Sequence, residues 1–299
     1  MKPPLLIHLH IPKNAGTSLS RAIKLKMLGL NPLNWLHHTD VLGKYNVHPW
    51  DKRYDLINNN PAIARRVRFF EAHAGYGMHE RLPSPHAYLT VIREPIDRAL
   101  SIYHYLAQTG ERDPNDTLRQ FIDRPDPVGR VWHTDNAQVR YLAGERGVID
   151  ARPREDCDQA MLDKAINRLR NDIDHLMVQN RFDEGMIVLA HELGWGELLY
   201  SKSNVTKKRA KLEGVEESTF ERMREFNQLD AKLYEVAQEL FAERVERVSS
   251  AKGRPMSDLL DAYRNRLAKH AKRSAPVYAL IPRVRKIRES IQSKRGGER

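Results

Sequence analysis

Strand, loop and helix follow one another in LLIHLHIPKNAGTSL, residues 5–19 of the chain. Residues 5–11 form an apolar run that is typical of a buried strand, and residues 17–29 carry apolar side chains at helical spacing. A helix that starts directly after a strand points its first backbone N–H groups at one place, where the helix dipole adds partial positive charge. We therefore predict an anion-binding loop between the two elements.

The loop differs from a Walker A motif, which ends in Gly-Lys-Ser/Thr, because its lysine comes before the glycine. Lys13 supplies a cation, and Gly16 lets the backbone approach an anion closely because it carries no side chain. The residues that we expect to hold the anion are Lys13, Asn14, Ala15, Gly16, Thr17 and Ser18. A doubly charged phosphate or a phosphosulfate fits such a loop without a magnesium-bound triphosphate.

A second phosphate site is predicted by IREPIDRALSIY, residues 92–103, in which Arg93 ends a predicted strand and Pro95 begins a predicted helix. Ser101 lies about two helical turns beyond Arg93, so its hydroxyl can share a face with the guanidinium. A guanidinium with a hydroxyl is a good phosphate ligand set. An ordinary ion pair between Arg93 and a neighbouring carboxylate is the alternative that the pattern leaves open.

The first half of the chain alternates strands with helices, which predicts an α/β fold around a mostly parallel sheet. Strands are predicted at residues 5–11, 67–73, 87–93 and 175–179. Residues 31–61 are rich in Asn, Pro, His and Trp and predict irregular structure with one short helix. The second half is mostly helical, and two further helices are predicted in the tail, at 256–272 and 282–292.

The net charge of +11 is concentrated at one end of the chain. Residues 252–299 hold 14 of the 50 lysines and arginines but four of the 39 acidic residues, so the rest is nearly neutral. We expect this basic tail to meet an anionic surface or to be simply solvated, and we expect no nucleic-acid partner. Mean hydropathy is −0.64 and no run of 18 apolar residues occurs, so no membrane span is expected.

Cysteine content and the start of the chain predict the compartment. Cys157 is the one cysteine, so no intramolecular disulfide can form, and its two aspartate neighbours predict a raised thiol pKa rather than a nucleophile. The first strand begins within about five residues of the first residue, which leaves no room for a signal peptide. We expect a cytoplasmic protein whose tail can lie at a membrane surface.

Together the two phosphate segments resemble the sulfotransferases that use 3′-phosphoadenosine 5′-phosphosulfate. Residues 10–19 look like their 5′-phosphosulfate loop, and residues 92–103 look like their 3′-phosphate motif. The version here is similar to the carbohydrate branch that contains heparan-sulfate 2-O-type enzymes and their bacterial relatives. Supporting matches lie at residues 73–77, 135–142, 193–195 and 227–234. The resemblance covers roughly residues 5–248.

The resemblance implies a P-loop-like, three-layer fold with a catalytic domain at 1–250 and a basic helical extension at 251–299. It implies the phosphosulfate nucleotide as co-substrate, no metal, and a hydroxyl acceptor, which we expect to be a carbohydrate or glycolipid. By position, Lys13 should contact the 5′-phosphate and stabilise the leaving oxygen, with help from residues 14–18. Arg93 and Ser101 should hold the 3′-phosphate.

Transfer to a hydroxyl needs a base, and His73 is the candidate. It ends the predicted strand at 67–73, Gly75 and Gly77 leave space beside it, and its ordinary pKa suits proton transfer near neutral pH. Glu71 is the alternative base, because it lies on the same side of that strand.

His8 and His10 share one face of the first strand, as metal ligands could. Because the sequence shows no third ligand with them, we predict no metal there. The acceptor pocket is expected from the segments at 31–61 and 111–135, which connect the predicted elements.

Two other functions remain open at this stage. A P-loop phosphotransferase would share the nucleotide loop, although the chain lacks the usual Gly-Lys-Ser/Thr sequence. A polyanion- or membrane-surface-binding protein would use the basic tail and retain the loop only as a vestige.

Overall fold

The computed structural model describes residues 4–29, 41–43, 52–83, 85–113, 115–123, 133–200, 215–273, 276 and 280. The predicted tail helix at 282–292 therefore lies outside the described residues. Among those that are described, no helix has both the length and the apolar character needed to cross a membrane.

Within the described residues, five parallel strands form one sheet with the order β2-β3-β1-β4-β5. The strands are β1 (Leu5–Leu9), β2 (Val41–Gly43), β3 (Phe69–Ala72), β4 (His86–Ile92) and β5 (His175–Val178). β1 is central, with β3 and β4 on either side. Because all three run the same way, the loops that follow them meet at one edge, which is where parallel sheets bind ligands.

Helices connect and cover the strands, which confirms the predicted α/β class. In chain order they are α1 (Gly16–Leu28), α2 (Lys52–Asn58), α3 (Pro61–Arg66), α4 (Pro95–Thr109), α5 (Leu118–Asp123), α6 (Ala137–Ala143), α7 (Gln159–Asn171), α8 (Phe182–Glu192), α9 (Glu217–Phe226) and α10 (Gln228–Lys252). Residues 256–273 form a further helix, α11.

Side chains alternate between the two faces of the sheet and divide the core into two parts. On one face Ile7 and Ile92 pack with residues of α6, α7 and α10. On the other, Leu6 and Val91 pack with residues of α1 and α8. Each face of the sheet therefore carries a helical layer, which is the predicted three-layer arrangement.

Helix α11 packs on the face that carries α1 and α8. Tyr263 is 2% exposed, belongs to the same apolar cluster as Leu198, and donates its hydroxyl to the Leu198 carbonyl oxygen at 2.9 Å. Arg264 lies 3.2 Å from the carboxylate of Asp183. The first part of the basic tail is thus seated on the body, while the division into domains at residue 250 stays a prediction.

Candidate active site

The loop after β1 has a strained backbone. Lys13 and Ala15 both have positive φ angles, of 70° and 64°, although neither is glycine. Such conformations cost about 1–3 kcal/mol each and persist where the surroundings over-determine them, often at functional sites. Ala15 is the N-cap of α1 and supplies no side-chain cap, while the Ser18 N–H donates to the Ala15 carbonyl oxygen at 3.1 Å. The start of α1 carries the partial positive charge of the helix dipole, which favours an anion there.

Gly16 is required by a contact that the sequence did not reveal. A Cβ atom placed on Gly16 would lie 2.1 Å from Nε2 of His10, which is far inside van der Waals contact. The helix can therefore begin against the His10 ring only if residue 16 is glycine. This close packing, in addition to the approach of an anion, accounts for the glycine in the loop.

Arg93 joins the two predicted phosphate segments. Its Nη1 donates to the carbonyl oxygen of Lys13 at 2.8 Å, although the two residues are 80 positions apart in the chain. The ion pair with Asp97 that the sequence left as an alternative is also present, at 3.8 Å, but the Asp97 side chain is about half exposed, so the pair contributes little. The guanidinium thus lies at the lysine-bearing turn, as a single pocket for both ends of the nucleotide requires.

Lys13 is held near a second cation and an aromatic ring. Its ammonium lies 4.0 Å from the centroid of the Tyr105 ring, within the range of a cation–π contact. Burial and the Arg93 guanidinium lower the pKa of Lys13 to about 8. An anion bound between the two cations would relieve their repulsion, so the site is electrostatically prepared for negative charge.

The remaining predicted phosphate ligands belong to the loop and the two helices that begin at this edge of the sheet. Thr17 and Ser18 are in the first turn of α1 and are partly exposed. Ser101 is partly exposed on α4, the helix that starts two residues after Arg93. Asn14 is buried and donates to the Val91 carbonyl oxygen at 2.7 Å, so its side chain anchors the loop to β4. The ligand roles of these residues stay predictions.

His73, the predicted base, follows β3 and packs against the loop. Its ring makes an edge contact with His10, with 4.5 Å between the ring centroids, and His10 in turn touches Gly16. Burial lowers the pKa of His73 to about 4, and the nearby Glu71 carboxylate only partly offsets this effect. The ring is therefore neutral at physiological pH, but the expectation of an ordinary histidine pKa is wrong, because burial makes His73 a weaker base.

Glu71, the alternative base, is already engaged on the α1 side of the sheet. Its carboxylate lies 2.5 Å from the Lys24 ammonium and also accepts a hydrogen bond from Ser20. Burial alone would raise the pKa of Glu71, but Lys24 and the nearby His8 hold it well below its ordinary value. Because Lys24 and Ser20 already occupy the Glu71 carboxylate on the α1 side, His73 stays the predicted base.

The expectation that no third group accompanies His8 and His10 is wrong. β1 and β3 pair with His8 directly beside Glu71, and the ligand-type atoms of the three residues lie within 4.8 Å of one another. The two imidazole rings are stacked with 10° between their planes, so their in-plane lone pairs do not converge on one cation. With Lys24 already neutralising Glu71, the cluster is a buried ion-pair network, and the predicted independence from metal stays a prediction.

The segment at 135–142 proves to be structural support for the site. Asn136 Oδ1 accepts from the backbone N–H groups of Leu229 and Asp230, at the start of α10. The Asp230 carboxylate accepts hydrogen bonds from the backbone N–H groups of Gln138 and Val139, at the start of α6. The two helices therefore cap each other and fix the position of Gln138 beside the phosphate segments.

Cys157 plays no part in this site. Burial raises the pKa of its thiol to about 12, so the sulfur stays protonated and unreactive at physiological pH. The predicted direction of the shift is correct, although burial rather than the flanking aspartates is its main cause.

A model of the family described as galactose-3-O-sulfotransferase matches residues 54–286 of the chain. The chain belongs to the galactose-3-O-sulfotransferase family. The matched region contains His73, Arg93 and Ser101 and extends into the basic tail, beyond the limit near residue 248 that the motifs suggested. The loop around Lys13 precedes it.

Curated relatives of the galactose-3-O-sulfotransferase family give the same result. The galactose-3-O-sulfotransferase 3 proteins of mouse and human are each 27% identical to the chain, over 199 and 195 residues. In both cases the match covers 63% of this chain and 44% of the relative, so the chain spans less than half of their length. The heparan sulfate 2-O-sulfotransferase of Caenorhabditis elegans is 28% identical over 105 residues, which cover 34% of the chain and 32% of that protein. The resemblance to a carbohydrate sulfotransferase family is confirmed.

Proposed function

We propose that this member of the galactose-3-O-sulfotransferase family transfers a sulfuryl group from 3′-phosphoadenosine 5′-phosphosulfate to a carbohydrate hydroxyl. The observation that carries the proposal is the contact between the Arg93 guanidinium and the Lys13 carbonyl oxygen, at 2.8 Å. It puts the segment predicted to hold a 3′-phosphate against the segment predicted to hold a 5′-phosphosulfate. A nucleotide with an anionic group at both the 3′ and the 5′ position of its ribose would contact both segments.

The transfer step follows from the charges around the site. His73 takes the proton of the acceptor hydroxyl while the hydroxyl oxygen forms a bond to sulfur. The bond between sulfur and the bridging oxygen of the 5′-phosphosulfate breaks, and the negative charge that develops on that oxygen is stabilised by the Lys13 ammonium. The products are a sulfate ester, adenosine 3′,5′-bisphosphate and a protonated His73, which returns its proton to water.

The acceptor is proposed from the relatives, because the segments expected to form its pocket lie partly outside the described residues. Two of the relatives are named for sulfation of galactose at O3 and one for sulfation of heparan sulfate at O2. We therefore propose a sugar hydroxyl as the nucleophile and a terminal galactoside as the first acceptor to test.

The donor is tested by isothermal titration with adenosine 3′,5′-bisphosphate, the product nucleotide. Wild type should bind it saturably, and Arg93→Ala should weaken binding by about 10–100-fold, the range expected for loss of a charge-assisted phosphate contact. Arg21→Ala, which changes an exposed arginine of α1, is the matched control and should bind as wild type does.

Two results of this titration would contradict the proposal. One is no binding by folded wild type. The other is tighter binding of ATP with magnesium than of the bisphosphate, which would favour the phosphotransferase alternative.

The pH dependence of kcat/KM should be a broad plateau between about 4 and about 8. Activity should fall below the plateau as His73 becomes protonated and can no longer act as base. It should fall above the plateau as Lys13 loses its proton and can no longer stabilise the leaving oxygen. In kcat both limits should move to higher pH, because the bound anionic donor raises the pKa of both cationic acids.

Initial rates measured across this range, with the fluorescence of the folded protein followed in parallel, check the pH profile. An acid limit near 6.5, the ordinary value for histidine, would contradict a buried base at His73.

A further inference from the structure

Gln138 connects the two phosphate segments through its side-chain amide. Its Oε1 accepts from Nδ2 of Asn14 at 2.8 Å and from the backbone N–H of Arg93 at 2.9 Å. Its Nε2 donates to the carbonyl oxygen of Arg93 at 2.8 Å. Asn14 belongs to the loop after β1 and Arg93 follows β4, so one side chain bridges both sides of the pocket.

The side-chain amide of Gln138 both accepts and donates hydrogen bonds at this position, which few other side chains could do. Gln138 is 0% exposed, so each polar group that it satisfies would lose its partner in a place without water. A carboxylate in the same shape could still accept from Asn14 and from the Arg93 N–H. It could not donate to the Arg93 carbonyl oxygen, and its charge would repel that oxygen.

The position of Gln138 is itself determined by distant parts of the chain. Its backbone N–H donates to Oδ2 of Asp230 at 3.0 Å, and that of Val139 donates to Oδ1 at 2.8 Å. Asp230 is 0% exposed and lies in the first turn of α10. The first turn of α6 is thereby held against the sheet edge, and Gln138 extends from it between the two segments.

We infer that Gln138 is a positioning residue that sets the spacing between the 5′-phosphosulfate and 3′-phosphate segments. The inference rests on the proposed function. Gln138 is buried beneath the pocket and acts through Asn14 and Arg93 rather than through the nucleotide. A ligand that engages both segments depends on their spacing, whereas a ligand that engages one segment does not.

The test compares nucleotides with one and with two anionic ends. Dissociation constants are measured for adenosine 3′,5′-bisphosphate, adenosine 5′-phosphate and adenosine 3′-phosphate, on wild type, Gln138→Met and Gln138→Glu. Both variants should weaken binding of the bisphosphate by about 10-fold or more while changing each monophosphate by less than about 3-fold. Gln159→Met, which alters an exposed glutamine at the start of α7, is the control and should change none of the three.

The outcomes separate a positioning role from a merely structural one. A parallel loss of affinity for all three nucleotides, with a lowered melting temperature, would overturn the inference, as would unchanged binding of the bisphosphate. If Gln138→Met does not fold, the nearly isosteric Gln138→Glu decides the matter by the same ratios. Failure of wild type to bind the bisphosphate would overturn the proposed function itself, and this inference with it.

Discussion

Replacing His73 by alanine should lower kcat by about 10²–10⁴-fold, the usual contribution of a general base, while the affinity for the nucleotide changes little. The side chain lies just after β3, against His10, and burial keeps its ring neutral at physiological pH. Its loss leaves the acceptor hydroxyl without a base, because the Glu71 carboxylate is paired with Lys24.

Steady-state rates with saturating donor and galactoside, combined with titration of the bisphosphate, check this expectation. His191→Ala, at an exposed histidine near the end of α8, is the matched control and should keep wild-type rates. Wild-type turnover by His73→Ala would remove His73 from the mechanism. Strong loss in Glu71→Gln with normal turnover in His73→Ala would assign the base to Glu71 instead.

Replacing Lys13 by alanine should lower kcat by about 10²–10³-fold, the range found when one group that stabilises a developing oxyanion is removed. Lys13 lies in the turn before α1, where the Arg93 guanidinium lowers the pKa of its ammonium and where the leaving oxygen is proposed to sit. Because the charge on that oxygen grows during the reaction, the loss should be larger in kcat than in donor affinity.

Single-turnover rates with labelled donor measure the chemical step in Lys13→Ala without interference from product release. Lys26→Ala, at an exposed lysine on the opposite end of α1, is the control and should react as wild type does. An unchanged single-turnover rate in Lys13→Ala, with weakened binding alone, would make Lys13 a binding residue and not a catalytic one.

Local patterns were enough to predict the elements that carry the phosphate segments. β1, α1, β4 and α4 follow from apolar periodicity and from the proline that begins α4, and they lie close to where the sequence placed them. Four elements were not individually predicted, namely β2, α5, α9 and one of the two helices α2 and α3. The strand β2 has three residues at the sheet edge and gives no alternating pattern, whereas α9 carries Phe220, Met223 and Phe226 at a helical spacing that could have revealed it.

The contacts inside the site could not be predicted, because they depend on which strands are neighbours. Glu71 meets His8 only since β3 pairs beside β1 in that register, and Arg93 reaches Lys13 only since β4 lies on the other side. The resemblance drew attention to residues 135–142, but it gave no role to Gln138, whose hydrogen-bond partners are 45 and 124 positions away. Such long-range hydrogen bonds follow from strand order rather than from local composition.

The packing of α11 against the body affects how truncations of the basic tail should be designed. Truncation at residue 252 would remove Tyr263 from the apolar cluster that it shares with Leu198. A loss of affinity for anions could then reflect either the missing positive charge or the destabilised core. A truncation after residue 273 removes seven lysines and arginines and leaves that buried tyrosine in place. Truncation after residue 273 therefore tests the positive charge of the tail without disturbing the packing of α11.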